Sequence, residues 1–223
     1  MKGSAAMSNS GRNDWATPQW LVAALEHELG ARFNLDAAAH GLNTKAVQWI
    51  YEEDNALTKT WVLPEDGGTR VWLNPPYSVN HANPRAEWYW KRVCEVAERL
   101  RWKRPSMPTL KKALGVLPLW IDYTIRQLEL TARGEAGPRY VVMALPGAMG
   151  EAWMHDLVFP HANRIRVVKG RVRYELDGKA GDSPTFGTLL VSFEPARSPL
   201  RVESWDPHAA MLRPAAVQTR AEF

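Results

Sequence analysis

The sequence predicts an α/β fold: a mostly parallel sheet, helices on both faces, and a closing antiparallel strand pair. Three observations point there. Short apolar runs such as "RVWL" and "RYVVMALP" alternate with helical segments. Those runs lack the polar alternation of a half-solvated strand, so both of their faces need cover. The last two extended segments, "RIRVVKGRVRYEL" and "GTLLVSFEP", flank a turn holding Gly178 and Gly181, and so read as an antiparallel pair.

Each element follows from local chemistry. Residues 1–13 are polar, lack the apolar core of a signal segment, and read as a disordered tail. "TPQWLVAALEHELG" reads as a helix, with Thr17 as cap, Pro18 in the first position and Gly30 after the last turn. Its apolar face is Trp20, Leu21, Ala24, Leu25 and Leu29. "RFNLDAAAHG" reads as a short strand, Phe33 to Leu35, entering an Asp-led loop of small residues. "NTKAVQWIYEEDNAL" fits a helix, or a helix plus a short strand. "RVWL" is a buried strand that stops where Pro75 and Pro76 have no N–H to donate.

Residues 84–104 form a helix whose inner stripe is Trp88, Val93, Val96, Ala97 and Leu100. "PSMP" breaks it, and residues 109–133 form a second helical region interrupted at Pro118. "RYVVMALP" is a strand and "GEAWMHDLVF" a short helix. From Ala196 onward the chain is rich in Pro, Arg and Ala without a period, and reads as a loosely attached tail. One domain, residues 14–195, is therefore expected. Residues 99–137 are expected to be a helical insertion and a candidate substrate-recognition element.

The 223 residues fit a single domain, and the lone cysteine, Cys94, allows neither an intrachain disulfide nor a cysteine-based zinc site. That usage suits a reducing cytoplasm. No apolar run approaches the roughly 18 residues of a membrane span. His155 and His161 lack the spacing of metal ligands, so no metal is expected. The formal net charge is +4 and the pI about 9.3. Nine basic residues and three acidic ones between Arg85 and Lys112 make that window +6, leaving the rest at −2. Trp88, Trp90 and Trp102, three of eleven tryptophans, lie within it. Cations beside aromatics suit phosphate contact and base stacking. The same pattern also fits a solvated helix face with snorkelling stems.

"LNPPYS" carries the chemistry. Two prolines stiffen the turn, and Pro76 holds Pro75 extended. The Asn74 side-chain oxygen and the Pro75 carbonyl then form two acceptors with a common focus, able to take both hydrogens of a planar –NH₂. Such a nitrogen is a poor nucleophile because its lone pair is delocalised. Accepting both hydrogens stabilises the charge that develops as it attacks. Tyr77 adds a flat face, worth about 1–3 kcal/mol against a nucleobase. In an open sheet, ligands sit beyond the strand C-termini, and both "LDAAAHG" and "LNPPYS" fall there.

Asn-Pro-Pro-Tyr after an apolar strand resembles the signature of S-adenosylmethionine-dependent amino-methyltransferases. The order "DWATP", "LDAAA", "EEDNAL", "WLNPPYS", "KGRVRYE" and "FGTLLVSFEP" resembles the phage-type, Dam-like DNA adenine methyltransferases over roughly Asp14 to Glu194. The resemblance implies a Rossmann-like methyltransferase sheet and site-specific methylation of adenine N6 in DNA, with the base flipped out of the duplex. It implies that Trp15, Thr17 and Pro18 lie against the methionine part of S-adenosylmethionine and Asp36, Ala37 and Ala38 by its amino-acid moiety. Asp54 would bond the cofactor's adenine amine, with Leu57 nearby, and Asn74, Pro75, Pro76 and Tyr77 would hold the target. The expected DNA contacts are Arg99, Arg101, Lys103, Arg104, Lys111, Lys112, Lys169 and Arg171. The chain departs from the family in replacing the glycine-rich cofactor loop by "DAAAHG", and in leaving Glu52 and Glu53 as alternative ribose ligands. Two other readings stay open: methylation of a protein glutamine amide, and a non-catalytic DNA-binding protein on a methyltransferase fold.

Overall fold

The computed structural model describes residues 15–40, 43–64, 68–78, 85–106, 115–176, 179–181, 184 and 186–215. Its sheet comprises β1 (Leu35–Ala39), β2 (Gln48–Tyr51), β3 (Thr69–Leu73), β4 (Pro138–Pro146), β5 (Arg164–Val168), β8 (Thr188–Phe193) and β9 (Arg201–Trp205). The spatial order is β2-β1-β3-β4-β8-β5-β9. Every neighbouring pair is parallel except those made by β8, which runs antiparallel to β4 and to β5. A separate two-stranded hairpin, β6 (Glu175–Leu176) and β7 (Lys179–Ala180), lies before β8.

The apolar runs are continuous because alternate residues serve two different cores. Val71, Leu73, Val141, Met143, Leu145, Val191 and Phe193 pack on one face, with α2 (Ala86–Arg99) and α3 (Leu117–Ala132). Trp72, Val142, Ala144 and Leu190 pack on the other, against α1 (Gln19–Leu29). On α2 the buried positions are Tyr89, Val93, Cys94, Val96 and Ala97, one helical stripe; Trp88 and Leu100 of the expected stripe are half-buried. A π-helical turn, Met154–Val158, runs into the short α4 (Phe159–His161) and adds Leu157 and Val158 to the α2/α3 side.

Several sequence-based expectations give way to packing. "LDAAA" is a strand rather than a loop: Asp36 pairs with both Trp49 and Trp72, and Ala37 and Ala39 are buried. Alanine is a weak strand former alone, but this strand has a neighbour on each side and helices above and below. Pro18, not Thr17, is the N-cap of α1, and Gly30 ends that helix at φ 65°. Pro118 opens α3 rather than interrupting a helix, since the first turn has no use for its missing N–H. Residues 164–176 are not one strand: β5 stops at Val168, and Gly170 turns the chain at φ 83°.

Two further segments contribute to the core. Within the 99–137 segment, α3 follows α2 in the connection from β3 to β4, with Leu117, Ile121 and Leu128 in the core and Thr131 Oγ1 donating to Pro138 O at 3.0 Å. Within the 196–223 segment, β9 pairs with β5 and α5 (Pro207–Met211) packs on α1. Residues 1–13, the tail read as disordered, lie outside the described residues. Among the described residues no helix is long and apolar enough to cross a membrane.

A buried ion pair ties this end of the chain to α1. Arg166, 1% exposed, donates to Glu28 Oε1 from Nε at 2.9 Å and Nη2 at 2.7 Å, and from Nη1 to Ser192 Oγ at 3.0 Å. Trp205 Nε1 donates to the other oxygen of Glu28. Removing one partner of such a pair strands a buried charge. Glu28→Ala is therefore expected to destabilise the fold by about 3 kcal/mol or more in urea denaturation. A loss below about 1 kcal/mol would show that Arg166 finds adequate compensation elsewhere.

Candidate active site

The parallel strands β1, β2 and β3 end on one edge of the sheet, and two adjoining cavities open there. The larger is lined by Ala37–His40 at the end of β1, Ile50, Tyr51 and Glu52 at the end of β2, and Asn55 and Ala56 in the following turns. Asn74, Pro76 and Ser78 line it from the end of β3, with Tyr89 and Trp120 from α2 and α3. The smaller is lined by Trp15, Ala16, Thr17, Asp36, Asn43, Lys45 and Trp72. Ala38, His40 and Asn74 border both.

Asn74 stands at that shared border. Its Nδ2 donates to the Trp15 main-chain carbonyl at 3.1 Å, which leaves Oδ1 as the acceptor available to a ligand. The Trp15 segment is itself pinned, because Ala16 and Glu175 exchange two backbone bonds of 2.8 Å. Gly181 completes the contact: a Cβ there would lie 2.3 Å from the Trp15 ring. The residues after Asn74 are tied to the helices as well, with Val116 N–H donating to Tyr77 O at 3.3 Å.

Four of the eight buried side-chain polar atoms without partners among the described residues belong to residues lining this crevice. Trp15 Nε1, Thr17 Oγ1, Asn55 Oδ1 and Trp120 Nε1 are all buried with no hydrogen-bond partner among the described residues. Leaving such groups unpaired costs about 1–3 kcal/mol each, so a polar ligand in the crevice recovers what the fold forgoes. Asn55 also holds a left-handed backbone at φ 52°, unusual for a residue other than glycine.

Asp36 is 3% exposed, and burial pushes its carboxyl up to about 6. Two backbone donors oppose that rise: Lys45 N–H to Oδ2 at 2.8 Å and Ala38 N–H to Oδ1 at 3.2 Å. Burial likewise raises Tyr89, to about 12, and Tyr77 well above the usual phenol value. Tyr77's hydroxyl is buried beside Tyr174, and its ring lies 6.2 Å from Phe186 at a 55° tilt.

A profile of the family described as DNA N-6-adenine-methyltransferase (Dam) matches residues 4–216. The chain belongs to that family. The DNA N-6-adenine-methyltransferase of Haemophilus phage HP1 (strain HP1c1) is 39% identical over 74 residues, 32% of this chain and 40% of the relative. The DNA N-6-adenine-methyltransferase of Escherichia phage T1 is 39% identical over 67 residues, 30% of this chain and 26% of the relative. The chain thus spans well under two thirds of either relative's length.

Within this Dam-family fold, Trp15, Thr17, Asp36, Ala37, Ala38, Asn74 and Pro76 of the expected site residues line the crevice. Pro18, Leu57 and Pro75 are buried, Tyr77 is half-buried, and none of the four is among the lining residues. Asp54 is exposed on the turn Glu52–Asp54, and its neighbour Asn55 takes the lining position. Of the two ribose candidates, Glu52 lines the crevice and Glu53 does not. Lys45, Tyr89 and Trp120 are lining residues that no motif marked, and His40, within "LDAAAHG", lines the crevice without having been assigned a role. Tyr89 and Trp120 sit in the first turns of α2 and α3, a position that only the true helix starts reveal.

The expected DNA contacts divide. Arg99 lies 13 residues along α2 from Ala86, about 20 Å from the crevice end, and pairs with Asp122. Arg104 stacks 5.3 Å from the Trp90 ring centroid, while Arg101 and Lys103 are exposed near the same far end. Lys169 and Arg171 follow the C-terminal end of β5, on the crevice edge; Lys169 meets Asp206 at 3.0 Å and Arg171 donates to Pro184 O at 2.8 Å. Lys111 and Lys112 lie outside the described residues. Among those residues no cluster of three or more His, Cys, Asp or Glu is arranged to hold a metal.

The raised carboxyl of Asp36 has a signed consequence. A folded-state value above the unfolded 3.8 stabilises the fold below about pH 4, and that contribution is lost as pH rises through about 6. Asp36→Asn escapes the loss. Its stability relative to the parent protein should grow by roughly 3 kcal/mol between about pH 4 and pH 7, followed by urea denaturation at each pH. A difference independent of pH would show that Asp36 ionises normally.

Proposed function

We propose that the chain transfers the methyl group of S-adenosylmethionine to the exocyclic amine of adenine in DNA. The observation that carries this reading is Asn74: its amide is oriented by Trp15 O so that Oδ1 accepts, at the border between the two cavities. The cofactor fits the donor set. The four buried polar atoms without partners, the Glu52 carboxylate at the end of β2 and the Asp36 carboxylate suit a ligand with a nucleoside at one end and charged groups at the other. Asn55, rather than Asp54, supplies the buried acceptor for an adenine amine.

When bound, the cofactor supplies an electrophilic methyl group on a sulfonium sulfur. The protein's part is to position the amine and the charge around it. Asn74 Oδ1 and the Pro75 carbonyl accept the two hydrogens, and the stiff double-proline turn holds them in place without reorganisation. Positive charge growing on the nitrogen meets these fixed dipoles. Tyr77 and the nearby Phe186 offer aromatic surface to a base taken out of the duplex. Lys169 and Arg171, on the same edge, suit phosphate contact once their intramolecular partners exchange for it.

The test is transfer of radiolabelled methyl to unmethylated duplex DNA, followed by nucleoside separation. Label is expected in N6-methyladenine, and Asn74→Ala should lower the rate at least about a hundredfold. Label recovered on protein glutamine would replace the DNA reading. Absence of any S-adenosylmethionine binding by calorimetry would leave a DNA-binding protein on a methyltransferase fold.

A further inference from the structure

Arg85 directly precedes α2, and its side chain reaches back to the turn that follows β2. Nη1 donates to the Glu52 carbonyl and Nη2 to the Glu53 carbonyl, so one guanidinium closes on two successive peptide groups. The base of this clamp is firm. Arg85 O accepts the Tyr89 N–H at 2.9 Å in the first turn of α2, and Tyr89 and Val93 hold that helix in the core. Arg85 itself is not among the residues lining the crevice.

The carbonyls it grips belong to a stretch of crevice wall with little support of its own. Glu52–Asp54 form a single tight turn with no buried residue and no side-chain cap. Glu52 O also accepts the Asn55 N–H at 3.2 Å, the bond that closes the turn. Asn55 stands at φ 52° and ψ 81°, and its Oδ1 is buried without a partner among the described residues. A left-handed backbone at a residue other than glycine persists only where its surroundings over-determine it. After Asn55 that support comes from Thr58, whose N–H and Oγ1 donate to Asn55 O at 2.9 and 2.8 Å. Before Asn55 it comes from the Glu52 carbonyl, which Arg85 holds. Bonds from a charged, planar guanidinium are stronger and more directional than neutral ones, as such a hold requires.

We propose that Arg85 is a positioning residue for the cofactor: by clamping the Glu52 and Glu53 carbonyls to the start of α2, it fixes the Asn55 backbone and aims Asn55 Oδ1 into the crevice. Arg85 acts through Asn55 and makes no contact with the ligand. The assignment rests on the S-adenosylmethionine reading and adds to it the residue that sets the geometry at the nucleoside end.

Calorimetry without turnover tests it. S-adenosylhomocysteine and 5′-methylthioadenosine share the nucleoside and differ at the amino-acid end. Arg85→Ala is expected to weaken both by the same factor, at least about tenfold. Arg85→Lys, which keeps the charge and loses the planar fork, should recover part of the loss. The same substitution is then made in an Asn55→Gly background, where glycine takes the left-handed backbone without strain and offers no side-chain acceptor. There Arg85→Ala should cost less than about twofold, since the group it positions is gone. Unchanged affinity in Arg85→Ala, a loss confined to S-adenosylhomocysteine, or a loss as large in the Asn55→Gly background as in the parent protein overturns the proposal. Should Arg85→Ala fail to fold, Arg85→Gln serves as the second variant, read by the same outcomes. Failure of the parent protein to bind S-adenosylhomocysteine overturns the cofactor reading itself, and is distinguishable because it appears before any substitution is made.

Discussion

One hydrogen bond organises the crevice: Asn74 Nδ2 to the main-chain carbonyl of Trp15, 3.1 Å, between residues 59 positions apart. An asparagine amide is ambiguous in isolation, because either end can face a ligand. Committing the nitrogen to a carbonyl removes the ambiguity and leaves an acceptor. The bond holds only while the Trp15 segment stays in place. That segment depends on Ala16 pairing with Glu175, and on Gly181 giving room for the indole. The end of β3, the segment before α1 and the β6–β7 hairpin are thus parts of one device. A change in any of them reaches the amide.

The wider fold keeps that device in register. β3 lies between β1 and β4, and both of its faces are buried, so the position at which it ends is set by packing rather than by the turn alone. Trp72 holds one face and Val71 and Leu73 the other; a slip of one residue would exchange them. The helices contribute more than cover. α2 and α3 each begin on the crevice edge and place Tyr89 and Trp120 in its wall, and α3 is tied to the Asn-Pro-Pro-Tyr turn through Tyr77 O. At the far edge, the Glu28, Arg166 and Trp205 contacts fix β9 and α1 to one another, and α1 begins directly after Thr17.

The crevice also shows how polar chemistry is kept ready in a tightly packed protein. Buried donors and acceptors left without partners are rare in folded chains, because each costs stability. Here four of them share one pair of cavities, together with a carboxyl raised by burial and a residue in a left-handed conformation. Such strain concentrates where a ligand can relieve it. Farther along α2, Trp102 Nε1 donates to Asp156 at 2.6 Å and the Trp90 ring carries Arg104, so part of the aromatic and basic richness there is consumed within the protein.

What the sequence by itself determined was local or repetitive. Continuous apolar runs implied strands covered on both faces, double proline ended β3, and the order of short motifs carried the family. Thr17, Asp36 and Asn74 were legible as site residues because a turn or a motif marks them. Tertiary structure decided the rest. It made "LDAAA" a strand through its two neighbours, drew Arg201–Trp205 into the sheet beside β5, and turned Pro118 into a helix start. It also brought Lys45, Asn55, Tyr89 and Trp120 into one crevice with Asn74. The physical reason is the same in each case. Pattern and propensity act over a few residues, whereas strand pairing and the closure of a cavity depend on which distant surfaces meet, and no spacing along the chain records that.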